Sequence, residues 1–159
     1  MRALWDDAQY REERYAATAL CDTRPARALR DPSLLPLYRH LVVTGAWWDH
    51  VDEVAHRVGE LLVGWPAEIA PQLHSWSTSD DRWLRRVSII CQLGRKHDTD
   101  VELLAAAIEV NGADRDFFVR KAIGWALREY ARSDPDWVRA FVDAHELSPL
   151  SRREALRRL

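Results

Sequence analysis

A chain of 159 residues, 47% hydrophobic and 30% charged, is long enough for one domain whose core stands without staples. It has no apolar run of bilayer length and no basic-then-apolar leader, which points to the cytosol, and a net charge of −2 argues against indiscriminate coating of nucleic acid. Cys21 and Cys91 are too few and too scattered for a disulfide framework or a zinc site, and they fit a reducing compartment.

Taken in chain order, almost every boundary signal is a helix signal. Asp31-Pro32 reads as an N-cap followed by proline in the first turn, and Gly45 reads as the end of that helix. The next helix begins near Trp47 and carries an apolar stripe at Val51, Val54, Val58 and Leu61. DDRWLRRVSII follows, with Gly94 as its stop. Thr99-x-x-Glu102 reads as a capping box ahead of Val101, Leu104 and Ile108, and Asn111-Gly112 closes that helix. In DRDFFVRKAIGWALREYARSDPDW the stripe is Val119, Ile123, Ala126 and Tyr130, with Leu127 beside it. Asp134-Pro135 repeats the cap-then-proline device, and Ser151-x-x-Glu154 reads as a last capping box. No segment alternates with period two. The expectation is all-α, with about eight or nine short helices.

Four charges, Arg14, Glu53, Arg86 and Lys121, each precede a run of apolar and small residues, at steps of 39, 33 and 35. Such steps lie near the roughly 40-residue period of HEAT and armadillo helix pairs. A helix pair cannot bury its apolar stripe alone, so neighbours stack. The expected architecture is a curved α-solenoid of HEAT-like antiparallel helix pairs, one domain over residues 1–159.

Some residues exceed what a plain solenoid needs. Trp48 and Asp52 are four apart, on one helix face beside the core stripe. They read either as a core-edge tryptophan with a solvated carboxylate favoured by the helix dipole, or as parts of a site. Trp125 lies off its own stripe, with Lys121 four residues before and Arg128 three after. That is either surface cation–π packing or an aromatic platform in a phosphate-binding groove. Arg85 and Arg86 add cations near the first turn of the preceding helix. Residues 1–80 carry 8 Lys+Arg against 12 Asp+Glu, and residues 81–159 carry 15 against 13, so an anionic partner is met mainly by the C-terminal half. His50 and His56, six apart, fall on different faces and give no metal set. No glycine-rich phosphate loop, nucleophile elbow or Cys–His pair is present.

The segments LWDDAQYREERYAATAL, GAWWDHVDEVA, DDRWLRRVSIICQL, FFVRKAIGWALREYARSDPDWVRAFV and LSPLSRREAL together resemble the DNA alkylation repair glycosylases of the HEAT-like-repeat type, the AlkD family. The resemblance runs in order from about Leu4 to the last residue. It implies a monofunctional DNA glycosylase that removes cationic alkylated purines such as 7-methylguanine and 3-methyladenine from duplex DNA, without metal or cofactor, in the bacterial cytosol or nucleoid. It matches Trp48, Asp52, Trp125 and Arg86 to the catalytic group, with Arg85 as the neighbouring candidate. Lys121, Arg128 and Arg132 would form a cationic stripe that, with Arg86, holds phosphates. Members of that family carry further N-terminal helices before the segment that here begins at Leu4, which implies a shortened solenoid with an uncovered apolar edge at Leu4-Trp5. The other class of reading is a non-catalytic HEAT-like module that binds DNA or protein. Neither fixes an oligomeric state.

Overall fold

The computed structural model describes residues 1–159 and contains helices without a strand. In chain order these are α1 (Arg2–Asp6), α2 (Arg11–Leu20), α3 (Arg24–Ala28), α4 (Leu35–Gly45), α5 (Trp48–Gly64), α6 (Pro66–Ser77), α7 (Arg82–Ile90), α8 (Val101–Glu109), α9 (Phe117–Tyr130), α10 (Pro135–Ala144) and α11 (Pro149–Ala155). The sequence points to eight or nine. The five-residue α1 and α3 are too short to show a periodicity.

Aspartates open four of these helices, α7 to α10, by accepting otherwise orphaned N–H groups of the first turn. Asp31 caps a short 3-10 turn ahead of α4, and Asp134 caps α10, both as the sequence indicates. Two expected boxes shift. Asp100 rather than Thr99 caps α8, accepting from Leu103 N–H at 2.9 Å. Ser148 rather than Ser151 caps α11, accepting from Ser151 N–H at 3.1 Å. Ser151 instead lies fully buried inside the helix, and its hydroxyl donates to the Arg120 carbonyl at 3.0 Å. That bond ties α11 to α9. Gly45 does close α4, but the left-handed residue is Ala46 (φ 44°). Gly45 is needed for space, since a Cβ there would stand 3.0 Å from the Trp5 ring.

The expected stripes are the observed core. Val51, Val54, Val58 and Leu61 of α5 and Val119, Ile123, Ala126 and Leu127 of α9 are all buried. The four charges of the repeat fall on α2, α5, α7 and α9, and these helices form one continuous row that α11 completes: α2 packs on α5, α5 on α7, α7 on α9, α9 on α11. Helices α4, α6, α8 and α10 cover that row from behind, which is the two-layer build of an α-solenoid. Four of the ties between successive helix pairs share one span. Tyr15 to Asp49, Asn111 to Ser77, Arg82 to Asp116 and Arg86 to Asp52 are each 34 residues apart.

Two glycines set how closely the row packs. A Cβ on Gly59 of α5 would stand 2.0 Å from the Cys91 carbonyl oxygen at the end of α7. A Cβ on Gly124 of α9 would stand 2.5 Å from the Glu154 Cβ of α11. Any larger residue forces the helices apart. Cys91 itself is 2% exposed, and burial pushes its thiol up to about 12.

The N-terminal edge meets expectation in part. Leu4 is exposed, but Trp5 is fully buried, its Nε1–H donating to Thr44 Oγ1 at 2.8 Å. The exposed apolar surface gathers instead around Leu20, Leu29, Leu34 and Leu37, which line a groove beside α3.

Candidate functional site

Three successive helices of the row bring three predicted residues together. Arg86 of α7 lies almost out of solvent, with its side chain 6% exposed. Its Nε donates to Asp52 Oδ1 at 2.7 Å and its Nη2 to Asp52 Oδ2 at 2.8 Å, a bidentate fork across to α5. Its Nη1 donates to the Phe118 carbonyl at 2.7 Å, which fixes the guanidinium to α9 as well. Trp125 of α9 places its ring 6.0 Å from the same guanidinium carbon. Asp52 keeps 14% of its side chain exposed.

The sequence reading gives Arg86 a phosphate as well as a place in the catalytic group. In the structure all three of its side-chain nitrogens donate within the protein, two of them to Asp52. Removing one partner of a buried, hydrogen-bonded ion pair leaves the other charge uncompensated.

Trp48 opens α5 one turn before Asp52, on the same face, and is 47% exposed. Its neighbour Trp47 is 43% exposed and touches other rings. The Trp47 ring stands 5.7 Å from Phe118, edge-on, and 6.5 Å from Trp83, with Arg82 stacked 5.0 Å above Trp83.

The predicted cations divide into three kinds. Arg85 is turned away from the row: it pairs with Asp114 at 3.0 Å, and its Nη1 donates to the Ser79 and Asp80 carbonyls at 2.7 and 3.0 Å. With its side chain 19% exposed, it staples the loops that precede α7 and α9 and has little left for a phosphate. Lys121 and Arg128 share Glu154 of α11, Lys121 at 3.2 Å. Burial pushes the Glu154 carboxyl up, but the hydrogen bonds from Lys121 and Arg128 outweigh it and hold the group below its ordinary value. Arg132 is exposed and shares a cleft of about 140 Å³ with Trp125, Arg128, Glu129 and Arg158.

Arg158 is a cation the sequence reading misses. It lies in the turn that follows α11, where no helical period marks it.

The sequence profile of the family described as DNA alkylation repair enzyme matches residues 1–159. The solved structure of a predicted DNA alkylation repair enzyme from Enterococcus faecalis superposes with a TM-score of 0.89 at 30% sequence identity, covering 99% of this chain and 73% of that one. No curated protein sequence matches the chain.

Proposed function

The chain belongs to the family of DNA alkylation repair enzymes, and from that premise we propose that it is a monofunctional DNA N-glycosylase acting on cationic alkylated purines in duplex DNA. The observation that carries the proposal is the Arg86–Asp52 fork, with the Trp125 ring 6.0 Å from the Arg86 guanidinium.

Alkylation at N3 or N7 gives the purine a positive charge, so the base is a good leaving group without a general acid. When the glycosidic bond breaks, its electron pair goes to the purine and neutralises it. The positive charge passes to the sugar as oxocarbenium character, as in glycoside hydrolysis. Water then bonds to the anomeric carbon and gives up a proton, to Asp52 or to solvent. Asp52 supplies the negative charge that the sugar cation needs, and Arg86 holds that charge in place before reaction, so little reorganisation is required. The faces of Trp48 and Trp125, negative at their centres, line the path of a cationic sugar or base. Lys121, Arg128 and Arg132, joined by Arg158, hold phosphates without reading sequence. No step calls on a metal or a cofactor.

Incubation with duplex DNA containing 7-methylguanine, followed by measurement of free base, tests the reading. The expected result is release well above buffer at salt low enough for binding, and its near abolition in Asp52→Asn. Release at the buffer rate with duplex binding retained would leave a non-catalytic helical DNA-binding module.

A further inference from the structure

A second polar cleft, of about 350 Å³, opens between α2 and the start of α5 and is lined by Gln9, Tyr10, Arg11, Arg14, Trp47 and His50, among others. Three features of it converge on an anion. Arg11 and Arg14 are three residues apart on α2 and so lie on one face. Arg14 has no carboxylate partner: its guanidinium lies 5.1 Å from the Trp5 ring, and its Nη1 only reaches the Thr44 carbonyl at 3.4 Å. Second, the cleft contains the start of the 17-residue helix α5, whose N-cap, Trp47, makes no side-chain hydrogen bond. At the corresponding positions α7 and α9 carry the aspartate caps Asp81 and Asp116. The partial positive charge of that helix end is offset only by Asp49.

Third, His50 forms part of the cleft wall and is 97% buried, packed between the rings of Trp5 and Tyr15 at 5.2 and 4.8 Å, with no hydrogen-bond partner for its Nδ1. A buried polar atom left unpaired is uncommon and costly. The nearby acid does not serve it. Asp49 accepts from the Tyr15 hydroxyl at 2.5 Å, from the His50 backbone N–H at 2.8 Å and from Arg11.

We propose that this cleft is a phosphate-binding subsite, in which Arg14 and Arg11 hold a backbone phosphate of bound DNA against the His50 ring, on the far side of Trp47 and Trp48 from the cationic α9–α11 end. The proposal deepens the glycosylase reading and rests on it for the identity of the ligand. A phosphate there supplies the anionic acceptor that Arg14 lacks. It also gives the acidic N-terminal half its own hold on the duplex.

Two measurements on the full chain test it. In the first, affinity for unmodified duplex DNA is followed as salt is varied. Arg14→Gln is expected to bind several-fold more weakly, and to lower the slope of log affinity against log salt by about 0.9, the loss of one phosphate contact. Arg24→Gln, which removes an exposed arginine of α3 outside the cleft, is expected to leave the slope unchanged. In the second, the His50 ring resonance, assigned by its loss in His50→Gln, is followed by NMR while duplex DNA or inorganic phosphate is added. A saturable shift with duplex alone assigns the site to a phosphodiester, and a shift with both assigns it to phosphate in general; either supports the subsite. An unchanged slope in Arg14→Gln, or an unmoved His50 resonance with both additions, overturns it. If the wild-type chain binds no duplex, the glycosylase reading fails, and the inorganic phosphate titration alone decides the subsite.

Discussion

The two ends of the proposed DNA surface handle charge in opposite ways. Between α5 and α7 one arginine is committed to one aspartate in an enclosed fork, and the pair presents a carboxylate. Between α9 and α11 one glutamate is shared by Lys121, 40% exposed, and Arg128, while Arg132 and Arg158 stand close by without a carboxylate partner. The first arrangement sums to zero and is rigid; the second sums to positive and is wet. A rigid neutral pair suits the stabilisation of a charge that develops at one atom. A wet positive field suits a polyanion whose phosphates need holding without being told apart.

Substitutions can separate the two arrangements. The largest effect falls on Asp52. Asp52→Asn keeps the shape, removes the charge and is expected to slow base release by about 10²–10³-fold, while duplex affinity changes far less; equal losses in both would erase the distinction between the ends. Arg86→Ala leaves Asp52 charged and unpaired in a nearly closed site, and is expected to cost about 3–5 kcal/mol of folding stability, read from denaturant midpoints. Gly59→Ala drives a Cβ into the Cys91 carbonyl. It is expected to cost about 1–3 kcal/mol as overpacking and to lower base release further by spreading α5 from α7. Glu154→Gln frees both cations between α9 and α11, with duplex affinity expected to rise at low salt and the gain to vanish at high salt.

The smallest effect is a pH dependence at His50, the group that neither arrangement serves. Burial holds its ring below the ordinary 6.5. The unfolded chain therefore takes up the proton first, so this residue's contribution is a loss of stability as pH falls below about 6.5 toward the folded value. Asp49 opposes that shift, and Arg11 and Arg14 add to it. Thermal melts from pH 7.5 to 5.5 are expected to show a decline that is shallower in His50→Gln.

The helical stripes were legible because burial imposes a period on the sequence whatever the helix later packs against. Val51, Val54, Val58 and Leu61 needed no tertiary information, and neither did the row marked by Arg14, Glu53, Arg86 and Lys121. Caps were less legible. Thr99 and Asp100 are adjacent, and the choice between them depends on loop geometry, where Gln92 holds the Asp100 backbone N–H at 2.8 Å. Spacing put Trp48 beside Asp52 and set Trp125 off its stripe, and only the family resemblance singled them out as site candidates; the direction of an arginine was not legible at all. Arg85 and Arg86 are neighbours in sequence and end on different partners, Asp114 and Asp52, because consecutive residues of a helix point about 100° apart. The unpaired ring of His50 was invisible for the same reason: its neighbours Trp5 and Tyr15 come from two other helices.

The buried Cys91 has a consequence for life among electrophiles. Agents that alkylate purines attack thiolates readily, and a repair protein meets them at the same moment as its DNA does. Burial pushes the thiol of Cys91 up to about 12, so its reactive thiolate form is disfavoured at neutral pH. Burial pushes Cys21 up as well. The close contact of α5 with α7 that Gly59 permits therefore also seals Cys91 away, and the tight stacking that aligns Asp52 with Arg86 shields the chain from the damage its family repairs.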